Sequence, residues 1–62
     1  MEKAKSFYFG KRMFYKENDE ELYSPCVYVR PYTKDGESWA IVVFEKANRV
    51  TEVNFNKLYI MK

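Results

Sequence analysis

Apolar and polar positions follow a strand-like pattern most clearly over residues 26–54. The run Cys26-Val27-Tyr28-Val29-Arg30-Pro31-Tyr32-Thr33 leads into Lys34-Asp35-Gly36-Glu37, and Ser38-Trp39-Ala40-Ile41-Val42-Val43-Phe44-Glu45 leads out. Two β-branched and aromatic runs joined by Asp-Gly predict an antiparallel hairpin. After a break at Lys46-Ala47-Asn48, the run Arg49-Val50-Thr51-Glu52-Val53-Asn54 extends it into a three-stranded meander.

Period-2 alternation places Val27 and Val29 on one face of the first of these strands, and Tyr28, Arg30 and Tyr32 on the other. The valines are the expected core. Pro31 has no N–H to donate, so the strand is expected to lie at an edge or to bulge there. Residues 39–44 are apolar on both faces, with Ala40, Val42 and Phe44 taken as the inner set and Trp39, Ile41 and Val43 as the outer. A strand buried on both sides in so short a chain requires a sheet that curls on itself or a covering chain.

Outside the meander, Lys11-Arg12-Met13-Phe14-Tyr15-Lys16 reads as a strand, extended by Phe7-Tyr8-Phe9 across a bulge or bend at Gly10. Asn18-Asp19-Glu20-Glu21-Leu22-Tyr23 reads as a short helical turn or compact polar loop. Residues 54–58 have helix-turn spacing from Phe55 to Leu58, and Tyr59-Ile60-Met61 reads as a closing strand.

The expectation is one all-β domain over residues 1–62, a small five-stranded, partly open antiparallel barrel with a short helical turn near 54–58. A curved three- or four-stranded sheet with a short C-terminal helix is the alternative. Several segments resemble the small SH3-like barrels. They are Met13-Phe14-Tyr15 at the first strand and Asp19-Glu20-Glu21-Leu22 in the arm after it, then Val27-Tyr28-Val29 and Asp35-Gly36-Glu37-Ser38-Trp39. The turn at 54–58 and Tyr59-Ile60 match the closing helical turn and last strand. The chain lacks the Ala-Leu-Tyr-Asp-Tyr signature, the Trp pair and the proline before the final tyrosine with which SH3 domains grip proline-rich peptides. The resemblance therefore implies the barrel rather than that ligand.

Composition narrows the chemistry. The chain has 62 residues, one cysteine and no histidine, so an internal disulfide and Cys/His zinc sites are excluded. A nucleophile–base pair of the usual kind needs histidine. Cys26 therefore reads as a small buried hydrophobe, and the protein as non-enzymatic, without metal or cofactor. A single cysteine fits a reducing, cytoplasmic setting, and no signal peptide or membrane-length apolar run is readable.

The net charge of +2 is mildly basic. Lys3, Lys5, Lys11, Arg12 and Lys16 precede an acidic cluster of Glu17, Asp19, Glu20 and Glu21. Tyr28, Arg30, Tyr32 and Trp39 form the candidate contact surface, because aromatics beside an arginine are enriched where proteins bind one another. The expected role is a protein-binding module, such as a regulator or phage-type inhibitor, with the acidic cluster steering partner choice. The alternative is a nucleic-acid-binding barrel, with the same aromatics stacking on bases and Lys11, Arg12, Arg30 and Arg49 meeting phosphates. A third reading makes these aromatics a second small core. So small a core also makes homodimerisation an expected option.

Overall fold

The computed structural model describes residues 2–6, 8–18 and 22–61. Among these, the chain forms β1 (Glu2–Lys3), β2 (Arg12–Tyr15), β3 (Ser24–Lys34), β4 (Glu37–Phe44), β5 (Arg49–Asn54), a 3-10 turn (Phe55–Lys57) and β6 (Leu58–Ile60). The class is all-β, as expected. The strands pair antiparallel in one sheet of order β1-β6-β2-β3-β4-β5. The strand count differs from the five expected: Glu2–Lys3 supplies a sixth that no apolar pattern announced, and the sheet is open, with β1 and β5 as its edges.

Turn chemistry fixes the meander. Asp35 and Gly36 both have positive φ, 51° and 76°, the pairing required at the centre of a tight hairpin whose twist matches its strands. The β4–β5 connection instead uses Asn48 at φ 51°, whose N–H donates to the Phe44 carbonyl at 2.7 Å. Asn54 caps the 3-10 turn, its side-chain oxygen accepting from the Asn56 N–H at 3.0 Å. That turn carries the chain from β5 back to β6 at the far side of the sheet.

One face of the sheet holds the core: Met13, Cys26, Tyr28, Ala40, Val42, Val53 and Leu58. Ala4, Tyr8, Tyr15, Phe44, Phe55 and Ile60 pack against it. β5 and β6 stand four ladder steps apart, about 19 Å if the sheet were flat. Val53 and Leu58 nevertheless share one cluster, so the sheet curls over its own inner face. The inner set expected for β4, Ala40, Val42 and Phe44, does face this core.

The first half of β3 departs from the expected alternation. Tyr28 pairs with Val42 and Arg30 with Ile41, leaving Val29 as an extra residue in a bulge. Cys26 and Tyr28 point inward, both fully buried, while Val29 is 42% exposed and Val27 half-buried on the other side. The expected valine core of β3 is thus replaced by Cys26 and Tyr28. A Tyr28 ring offers more apolar area than a valine, and Phe9 packs edge-on against it with centroids 5.8 Å apart. Pro31 lies beyond the pairing with β2, which ends at Val27, so its missing donor leaves no gap on that side.

Candidate functional site

The outer face of β3, β4 and β5 can be read row by row from the register. Tyr32, Trp39 and Asn54 form one row across the three strands, and Arg30, Ile41 and Glu52 form the next. Val27, Val43 and Val50 form a third, with Arg12 of β2 beside Val27. These rows exist because the Val29 bulge resets the parity of β3. Without the extra residue, Tyr28 and Arg30 would share a face.

The structure therefore brings Arg30, Tyr32 and Trp39 together and removes Tyr28, whose side chain is 0% exposed. Trp39 and Tyr32 are half-buried, Arg30 is exposed, and the Lys34 ammonium sits 5.3 Å from the Trp39 ring centroid. On the far side of this patch, Asn54 donates to the Glu37 carboxylate at 3.1 Å. Ile41 is only 9% exposed at the centre, between Arg30 and Glu52, whereas Val50 on the edge strand is 68% exposed. The surface is an apolar and aromatic strip with Arg30, Lys34, Glu37 and Glu52 around it. Among the described residues the strands form a single sheet, with no second sheet over this face, and Ile41 is itself buried within it. Of the N-terminal aromatics that a second small core would need as its cover, Phe9 packs on Tyr28 and Tyr15 against the core, and Phe7 lies outside the described residues.

The cations expected to meet phosphates do not form one stripe. Arg12 and Arg30 occupy the outer face, while Arg49 pairs with Phe44 on the inner-facing set. Lys11 has the opposite parity from Arg12, being next to it in an extended segment. The Arg12 guanidinium is held by both oxygens of Glu45, at 2.7 and 3.2 Å, and lies 5.3 Å from the Phe14 ring centroid. A depression of about 230 Å³ is bordered by Tyr8, Lys11, Arg12, Ile60 and Met61. With Arg12 occupied by Glu45, it offers an anion little charge beyond Lys11.

Glu17 of the expected acidic cluster is tied back to the fold. It accepts from the Tyr15 hydroxyl and lies 3.3 Å from the Lys57 ammonium. Those two partners hold its carboxyl below the usual carboxylate range. Asp19, Glu20 and Glu21 lie outside the described residues.

Burial, with a smaller contribution from Glu45, pushes the Cys26 thiol up to about 11. A neutral thiol sealed in the core is a poor nucleophile. Among the described residues, no cluster of Cys, Asp or Glu is arranged to hold a metal ion, and no helix is long and apolar enough to cross a membrane. Ile41 and Val43 lie on the outer face with Trp39, as alternation predicted, whereas sequence reasoning missed Val27 and Val50 as their outer-face neighbours. That adjacency depends on ladder register, which alternation alone leaves open. Comparison with protein-family models, curated proteins and solved structures returned no match.

Proposed function

We propose that the protein is a non-enzymatic binding module that docks on another protein through Arg30, Tyr32 and Trp39. The supporting observation is the Tyr32–Trp39 cross-strand pair beside the Arg30–Ile41–Glu52 row, on the face of the sheet opposite the core cluster. Tyr and Trp supply large contact area with few rotatable bonds, and Arg adds directional donors at the rim. A surface of that kind gains from burial against a complementary apolar partner rather than from charge alone.

The scaffold in this reading is a partly open SH3-like barrel. Its support is the curled order β6-β2-β3-β4-β5, the long β3 shared by both halves, and the helical turn before the last strand. A regulator or inhibitor in a reducing compartment suits the sealed thiol of Cys26 and the lack of a histidine base. The nucleic-acid reading has less support, because Lys11, Arg12, Arg30 and Arg49 divide between two faces.

The experiment compares affinity capture from host lysate by wild type, by the Tyr32→Ala/Trp39→Ala double variant, and by Lys46→Glu in the β4–β5 turn. One discrete protein should bind wild type and Lys46→Glu and be lost from the double variant. It should withstand moderate salt and nuclease treatment. Equal capture by the folded double variant sinks the proposed surface. Salt-sensitive retardation of oligonucleotides by wild type would favour phosphate binding instead.

A further inference from the structure

The two edges of the sheet differ in how they are protected. β1 is two residues long and carries Lys3, so it offers little to a pairing strand. β5 is six residues long, Arg49-Val50-Thr51-Glu52-Val53-Asn54, with no proline, lysine or bulge. Among the described residues its backbone pairs only with β4, so alternate N–H and C=O groups along the other side face outward. Of the usual guards of an edge strand, β5 lacks short length, lysine, proline and a bulge, and its charges are limited to Arg49 on the inner-facing set and Glu52 on the outer face. We propose that β5 pairs antiparallel with β5 of a second copy of this chain, with Thr51 on the two-fold axis.

Register selects that centre. For the two sheets to continue with their outer faces on the same side, opposed residues must belong to the same face, so the axis must pass through a residue. Centring on Glu52 sets two carboxylates opposite each other, which is unfavourable. Centring on Val50 leaves only residues 49–51 of each strand opposed to one another. Centring on Thr51 opposes Arg49 with Val53, Val50 with Glu52, and Thr51 with itself, with no like charges face to face. A Thr–Thr pair is itself a favourable cross-strand pair.

The two exposed Val50 side chains then become diagonal neighbours. Each Val27–Val43–Val50 row then ends beside Glu52 of the second copy, with the other copy's Val50 diagonal to it across the axis. Edge pairing of one short strand buries less than a standard interface, so the dimer is weak and concentration-dependent. The inference stands apart from the proposed docking surface, since Arg30, Tyr32 and Trp39 remain outside the new ladder.

Sedimentation analysis and oxidative cross-linking test it together. Wild type should rise from its 7.5 kDa monomer mass toward twice that value with concentration. Thr51→Cys should cross-link to itself under mild oxidant, and Glu52→Cys should do so much less. Cys26 does not interfere, being buried. Val50→Lys meets Glu52 of the second copy and should still dimerise, whereas Val50→Lys/Glu52→Lys sets lysines against lysines and should remain monomeric. Val50 and Glu52 are exposed, so these lysine variants fold even if Thr51→Cys does not. Monomer mass at all concentrations up to about 1 mM, the weak end of the affinity scale, overturns the proposal. So does preferential cross-linking at position 52, loss of the dimer in Val50→Lys alone, or its survival in the double-lysine variant.

Discussion

Tyr28 and Tyr32 are the same residue type on the same strand, four positions apart, yet the Val29 bulge sends them to opposite faces. Truncating each to alanine should therefore have very different costs. Tyr28 is fully buried against the core cluster and Phe9, and removing a buried aromatic ring costs about 3–5 kcal/mol. Tyr32 is half-buried beside Trp39, and losing one cross-strand pair costs about 0.2–1 kcal/mol. A domain of 62 residues has only about 3–9 kcal/mol of total stability. Tyr28→Ala should thus lose about a third or more of the total stability, while Tyr32→Ala keeps most of it. Urea titrations followed by far-UV circular dichroism and by Trp39 fluorescence separate the two. With a slope of about 1 kcal/mol per molar urea, the midpoints should differ by roughly 2 M or more. Equal midpoints, or a more damaging Tyr32→Ala, would refute the bulge and the face assignment built on it.

Two further outcomes follow from the titrating groups. With its thiol pushed up to about 11, Cys26 in the folded protein should react with a thiol reagent at pH 8 at least about 100-fold more slowly than in denaturant, where a free thiol titrates near 8.5. Rapid stoichiometric labelling of native protein would place Cys26 outside the core. Glu17, held ionised by Tyr15 and Lys57, contributes stability that is present above its ordinary value of 4.5 and lost as pH falls through its lower folded value. Glu17→Gln should flatten the acid limb of the stability profile by a small amount, and an unchanged profile would remove the Tyr15–Glu17–Lys57 contact from the account.

Local chemistry in the sequence located much of this sheet. Asp35-Gly36 specified its turn, because only a pair tolerant of positive φ completes that hairpin. The Phe55 turn was readable from the Phe55–Leu58 spacing, and the inner set of β4 from simple alternation. The bulge was not readable. Val29 is an ordinary strand residue, and the nearby signal, Pro31, points two positions too far along the chain. A one-residue insertion left no compositional trace but moved Tyr28 from the expected contact surface into the core. β1 escaped notice for another reason: Glu2–Lys3 is polar and pairs through its backbone with Tyr59 and Ile60. The rows that set Val27 and Val50 beside Val43, and Glu52 beside Ile41, are a property of register, which becomes visible only once the ladders are known.

The central claim is that partners meet the outer face of β3 and β4 at Tyr32 and Trp39. Site-specific photo-cross-linking in the native host tests it most directly, with a photoreactive phenylalanine analogue at position 32 in one variant and at position 46 in another. The account predicts one discrete protein adduct from position 32 and none from position 46. Adducts from position 46 alone, or adducts to nucleic acid from position 32, would contradict it.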